Sequence, residues 1–368
     1  MRRKSNFRVE LCGSDTPSAC GGVVHCNRLT FLLHPLSWNQ KVRKSRLKRL
    51  NDYTINYFEH LLMVKKIFLK LVVLLLFVAV PYLFVKFHYV RHWDGNYYKT
   101  TGKANHLILG LSRAKRGLVP SVFEKELNLE GRMINFAFNN MESPYGPEYF
   151  AAVQRKVVAS EKNGVFILSV SPGAILEFGK YKKGEKLREE SFFFYDLWCQ
   201  TCEPNLEYIL KSPVRGGSLF EYFRKYFKAI LQQQPVRPRE IPHKDGWGEL
   251  QPQLKLGLGG ILNSNRQFDR SSLRESYLEK TIAFLQQHGQ VSLLRLPITE
   301  EYQNYEEKML PAFDSIIQSM ADKYEVDYFN FLTTNDSLLF IDGHHLAGEG
   351  AREISTKVAK DIQSKFIH

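Results

Sequence analysis

Asn105-His106-Leu107-Ile108-Leu109-Gly110-Leu111-Ser112-Arg113 is the stretch whose reading decides the fold. His106–Leu111 is short, mostly apolar and bounded by Asn105 and Ser112. Such a run reads as a strand buried on both faces, the kind found in parallel sheets. Similar runs recur at Met133–Phe138, Val165–Val170, Ser292–Leu296 and Val326–Phe331. Helical spacing lies between them, over Val122–Leu127, Tyr149–Glu161, Ser272–His288 and Tyr305–Tyr324, and a last helix covers Ala351–Phe366. Pro120-Ser121 opens the first of these helices, with Glu124 at the capping-box position for Ser121. The expected fold is α/β: a three-layer α/β/α sandwich around a five-stranded, mainly parallel sheet, with one transmembrane helix ahead of it.

The beat breaks once. Residues 173–268 are rich in Gly, Pro, aromatic and basic residues and hold one clear helix, Leu219–Gln232. A structureless loop of that length is uncommon, so the segment is expected to be a cap-like insertion within a domain spanning 104–368. Phe192-Phe193-Phe194-Tyr195 reads as the core of that cap.

Composition narrows the function classes. The chain has 368 residues and a net charge of +13. Residues 1–66 hold 13 Lys/Arg against 4 Asp/Glu, while the remaining 302 hold 38 against 34. The basic excess therefore belongs to the N-terminal tail, and the body does not have the charge of a nucleic-acid-binding domain. Residues 1–62 carry scattered apolar side chains and the basic run Lys41–Arg49, and are read as a disordered tail or as not native. Met63-Val64-Lys65-Lys66 precedes an apolar run, so translation is expected to begin at Met63.

Ile67–Val85 is that run, with Lys70 as its one charge. Nineteen residues at about 1.5 Å each span roughly one hydrocarbon core. A cleavable signal peptide is the rival reading. The aromatic residues Tyr82, Phe84, Phe87 and Tyr89 stand where a small-residue cleavage site would be wanted, which favours an uncleaved anchor over residues 63–91. Lys65 and Lys66 put the N-terminus in the cytoplasm and the body in the periplasm or its equivalent.

The chemistry-bearing residues fall on one edge. Ser112 ends the first strand, and Asp342 and His345 lie in the loop after the fifth. In open α/β sheets, sites form outside the carboxyl ends of the strands. A carboxylate three residues before an imidazole can fix its tautomer, and the imidazole can then serve as base for a serine hydroxyl. Ser112 is thus the expected nucleophile, His345 the base and Asp342 its partner. The Ser112 backbone N–H is an oxyanion donor by position, and Asn139 and Asn140 could add a side-chain amide or simply make turn hydrogen bonds. Arg113 either binds an anionic substrate group or forms a structural salt bridge. His243 is a further substrate-binding candidate. Cys199-Gln200-Thr201-Cys202 admits a redox motif or a zinc site completed by His243, but Pro204 and the absence of a second pair favour a local disulfide.

Gly110-Leu111-Ser112-Arg113-Ala114 and Asp342-Gly343-His344-His345-Leu346 together resemble the nucleophile and D-x-x-H blocks of the SGNH/GDSL hydrolase superfamily. The phrase Ile134–Gly146 is similar to membrane-anchored bacterial members, of the kind that take part in teichoic-acid D-alanyl transfer and alginate O-acetylation. The resemblance implies a Ser–His–Asp esterase or O-acyltransferase without metal or cofactor. Its substrates would be ester-bearing carbohydrates or envelope polymers, and a membrane acyltransferase is an expected partner. Leu111 stands where the family has Asp, and the family's oxyanion glycine and G-x-N-D blocks have no clean counterpart. The alternative from another class is a non-catalytic glycan-binding or scaffold protein in an envelope acyl-transfer complex.

Overall fold

The computed structural model describes residues 37–159, 162–178, 186–212, 219–232, 268–332 and 340–366. Strands β1 (His106–Leu109), β2 (Met133–Asn135), β3 (Gly164–Ser169), β6 (Gly289–Arg295) and β7 (Asp327–Asn330) form one sheet in the order β2-β1-β3-β6-β7, and every neighbouring pair is parallel. The α/β expectation is met. The cause is visible in β1, where all four residues are buried. Leu107 and Leu109 point into one apolar cluster with Tyr149, Val153, Leu278, Ile282 and Ile317. Ile108 points into the other, with Phe123, Ile354, Val358 and Ile362. Two dry faces need two layers of helices. Helices α4 (Pro147–Lys156), α8 (Ser272–Gln286) and α10 (Phe313–Tyr324) cover the first. Helices α2 (Ser112–Gly117), α3 (Pro120–Glu126) and α11 (Gly348–Phe366) cover the second.

Three boundaries differ from the sequence reading. The single helix expected over Tyr305–Tyr324 is two, α9 (Glu300–Met309) and α10, because Pro311 has no N–H to donate and forces Leu310 out of helical geometry (φ −152°, ψ 84°). Helix α3 starts at Pro120, with Val119 as its N-cap residue, and Glu124 instead accepts from the Met133 N–H at 3.0 Å, tying α3 to β2. Residues 37–62, read as a tail, are helical in α1 (Ser37–Trp93), although the side chains from Arg43 to Lys70 are all exposed. That helix is long and apolar enough to cross a membrane.

The chain divides into two compact units, residues 1–74 and 75–368. Within the second, Val85 and Val90 at the end of α1 are buried in the first core cluster. The insertion leaves through α5 (Pro172–Ile175) and β4 (Leu176–Phe178) and returns through β5 (Phe268–Arg270), which pairs antiparallel with β4. Its described interior holds α6 (Leu206–Lys211) and α7 (Leu219–Leu231). Phe192 packs edge-on and Phe194 at a tilt against Phe138, so they join the main core rather than forming a separate one.

Two buried lysine amines meet backbone carbonyls, one of them within the insertion. Lys99 Nζ donates to the Ala137 carbonyl, and Lys156 Nζ donates to the Gly102 and Gln200 carbonyls at 3.0 and 2.8 Å. Burial, with the Arg132 charge adding to it, brings the Lys156 amine down to about 7. The unfolded chain therefore holds more protons between pH 7 and the ordinary lysine range, and stability rises with pH across that window, with a slope of up to about 1.4 kcal/mol per pH unit. Denaturant midpoints measured from pH 7 to 9.5 should climb more steeply in the wild type than in Lys156→Met. Parallel profiles would contradict this account.

Candidate active site

Ser112 is the first residue of α2 and follows the carboxyl end of β1. The turn between them is possible because residue 110 is glycine. Its φ is +131°, and a Cβ there would stand 2.8 Å from the Ser169 carbonyl oxygen and 2.9 Å from the Ser169 Cβ at the end of β3. Polar contacts clamp the turn: the Gly110 N–H donates to Tyr149 Oη at 3.1 Å, and Ser143 Oγ donates to the Gly110 carbonyl at 2.8 Å. Tyr149 Oη donates in turn to the Phe136 carbonyl at 3.0 Å.

Asp342 and His345 sit in a small loop closed by a bridge between Phe340 and Leu346, with the Ile341 N–H donating to the His345 carbonyl at 2.8 Å. Gly343 takes φ +85°, the left-handed conformation the loop requires. The His345 N–H donates to Asp342 Oδ1 at 2.9 Å, and His345 Nδ1 lies 2.7 Å from Asp342 Oδ2. His345 Nε2 lies 2.8 Å from Ser112 Oγ, across 233 positions of sequence. Because ionised Asp342 can only accept, Nδ1 carries the proton and Nε2 accepts from the serine hydroxyl. The structure thus brings Ser112, His345 and Asp342 into one hydrogen-bonded chain.

Electrostatics keep that polarity. Burial pushes the Asp342 carboxyl up, but the hydrogen bonds from the His345 side chain and backbone outweigh it and hold the group below the usual carboxylate range. His344 packs against Tyr302 and His345 with ring centroids 4.3 and 3.9 Å away. Burial, the His345 ring and Arg113 push the His344 imidazole well below its usual value, so it stays neutral. Its Nδ1 is 3.3 Å from Asp342 Oδ1 but out of line for a hydrogen bond. Asp342, His344 and His345 have ligand atoms within 4.8 Å of one another and could converge on a cation, although Asp342 and His345 are already committed to each other.

A cleft of about 520 Å³ opens over Ser112 and His345. Asn139, Asn140 and Met141 form one wall, Ser171 and Gly173 a second, and Tyr302, Tyr305, Glu306 and Met309 a third. Asn139 Oδ1 accepts from the Met141 N–H at 2.8 Å, the turn hydrogen bond its residue type favours. Asn140 is exposed on the same wall. Arg113 faces the cleft but donates to Glu306 at 2.6 Å, and Glu306 also accepts from Arg295 at 3.2 Å. Of its two sequence readings, the salt bridge is the one with a partner in place. His243 lies outside the described residues. Cys199 and Cys202 are joined by a disulfide with their Cα atoms 5.6 Å apart, and Asn205 Nδ2 donates to the Cys199 carbonyl at 2.7 Å. Both sulfurs are thereby withdrawn from zinc binding. Ser171, Gly173 and the tyrosine wall were not anticipated. The position of Ser171 and Gly173 just past β3 was the available signal, since it puts them on the same sheet edge as Ser112.

No protein-family model and no curated protein matches the chain. Among solved structures, the native aryl esterase of M. smegmatis is similar at 10% identity and a TM-score of 0.32, covering 70% of this chain and 98% of that one. Est24, a carbohydrate acetylesterase from Sinorhizobium meliloti, is similar at 8% identity and a TM-score of 0.30, with the same coverage. The functional reading rests on the sheet order and the site geometry, not on these likenesses.

Proposed function

We propose that this protein is a membrane-anchored, extracytoplasmic serine esterase or O-acyltransferase acting on ester-bearing cell-envelope or extracellular glycans. One observation carries the reading: the unbroken chain Ser112 Oγ to His345 Nε2, His345 Nδ1 to Asp342, at the floor of a cleft. In the reaction, Ser112 Oγ attacks the ester carbonyl while its proton passes to His345 Nε2. The carbonyl oxygen takes the negative charge. Collapse of the tetrahedral intermediate breaks the bond to the leaving alkoxide, which receives the proton from His345 Nε2 and leaves an acyl-serine. Water or a sugar hydroxyl then gives its proton to His345, attacks the acyl-serine, and Ser112 recovers its proton.

Asp342 holds the ring in the tautomer this relay needs and stabilises the imidazolium. The Ser112 N–H, in the first turn of α2, has no intrahelical acceptor and is the first oxyanion donor. Asn140 and the Gly173 N–H border the same cleft and complete the set in this reading. Transfer to a sugar hydroxyl would draw its acyl group from a membrane acyltransferase partner. The resemblance of the Gly110–Ala114 and Asp342–Leu346 blocks to SGNH/GDSL hydrolases supports the reaction class, and the apolar helix supports the anchor.

Asp342→Asn tests the relay. An amide keeps the shape but can present its N–H to Nδ1, which favours the wrong tautomer. The full-length variant should hydrolyse a small acetyl ester with kcat lowered by about 10²- to 10⁴-fold and KM little changed. A variant as fast as the wild type would contradict the role.

A further inference from the structure

Where α1 leaves its apolar span, two sets of exposed apolar side chains hang from it. Phe223 of α7 packs on Tyr82 with ring centroids 6.3 Å apart, and Tyr226 packs edge-on against His88 and Trp93 at 5.6 and 6.0 Å. These contacts hold α7 against the last turns of α1. They leave Phe220 and Leu231 exposed at 72% and 80%, with Phe227 between them on the same stripe. On the other set, Lys86 Nζ donates to the Leu210 carbonyl at 2.9 Å, which fixes the end of α6 to α1. Leu206 and Leu210, one turn apart on α6, are exposed, and Trp198 is 97% exposed. The Cys199 N–H donates to Glu207 Oε2 at 3.2 Å, which ties the residue after Trp198 to α6.

We propose that α6 and α7 form a collar seated in the headgroup–acyl boundary of the leaflet that α1 leaves. The reading rests on α1 crossing the membrane. Each part of the chemistry fits that occupant. The apolar side chains are large and, among the described residues, uncovered. Both sets are tied to residues 82–93, where the apolar span of α1 ends and the aromatic belt begins. Arg224 and Lys228 flank the α7 stripe and are exposed, Arg224 in an ion pair with Glu221; their long stems reach outward to anionic headgroups while the aromatic faces enter the acyl region. A tryptophan so fully exposed is costly in water and at home in the interface. One transmembrane helix leaves the body free to tilt about its exit point. A collar contacting lipid beside α1 sets the body at a fixed height and tilt.

The experiment uses the full-length protein in phosphatidylcholine–phosphatidylglycerol vesicles doped with a phospholipid that carries a photoactivatable diazirine on its acyl chain. Illumination, digestion and mass spectrometry then locate the lipid adducts. Adducts are expected on Ile67–Val85 and also on Phe220, Phe227, Leu231 and Trp198. In Phe227→Glu/Leu231→Glu, two exposed positions whose change leaves the core intact, the α7 adducts should fall at least about tenfold while those on α1 persist. Adducts on α1 alone would overturn the collar and leave the anchor standing. That pattern would mean a partner protein, a second copy or the chain's own residues 233–267 cover the stripe. Adducts on neither would overturn the collar and the anchor together.

Discussion

Ser112→Ala is expected to lower kcat/KM for a small acetyl ester by about 10³-fold or more, with the protein folded as before. The expectation follows from what the hydroxyl does and does not touch. Ser112 Oγ meets His345 Nε2 at 2.8 Å, and the serine backbone already sits in the first turn of α2, where alanine is fully compatible. No core volume is removed, so the thermal midpoint should move little, within roughly 1 kcal/mol of stability. The loss is instead chemical: the acyl-serine has no atom on which to form. Residual turnover, if any, would come from the oxyanion donors and from water activated by His345. A variant retaining more than a tenth of the wild-type rate would mean that the nucleophile lies elsewhere.

Arg274→Met should produce the largest loss of stability, about 3–5 kcal/mol, because it strands a buried carboxylate. Arg274 and Glu189 are both fully buried. The guanidinium donates to both Glu189 oxygens, the Nη2 contact at 2.8 Å, and through Nε to Glu177 at 2.9 Å. Burial pushes the Arg274 group down, and the two carboxylates more than restore it. Glu177 lies on β4 and Glu189 follows it within the insertion, while Arg274 belongs to α8 of the main body. The cluster therefore stitches the insertion to the sandwich. It also packs against Gly146, where a Cβ would fall 2.3 Å from Arg274 Nη1. Urea titration of the full-length protein in detergent measures the effect. Adding Glu189→Leu to Arg274→Met removes the orphaned charge and should recover part of the loss; a double variant no more stable than the single one would contradict the charge argument.

The sheet was legible because its strands are buried on both faces and so appear as continuous apolar runs, as in Leu107–Leu109 and Val165–Leu168. The pairing of Ser112 with Asp342 and His345 was legible from the three-residue acid–imidazole spacing together with chain position, since the carboxyl ends of β1 and β7 share an edge of the parallel sheet. Other features depend on contacts that no local pattern announces. Tyr302, Tyr305 and Met309 reach the cleft because Pro311 breaks what looked like one helix and frees α9 to pack separately. The Arg274–Glu177–Glu189 cluster joins residues up to 97 positions apart, a coupling that neither charge counting nor periodicity reveals. Lys99 and Lys156 read as surface residues by type, and only the fold shows the carbonyls that draw them inside. The helix over 37–62 went unread for a different reason: from Arg43 on its side chains are exposed, so burial left no periodic signature.

Labelling by a fluorophosphonate tests the central claim most directly. The reagent forms a covalent bond to a serine oxygen only where a base removes its proton and donors stabilise the developing charge. Peptide mapping of the full-length protein should find one adduct, on Ser112, and none in His345→Ala. An adduct on another serine, or no adduct together with no turnover of acetyl esters, would contradict the catalytic reading; the latter would leave a protein that binds glycan without cleaving it.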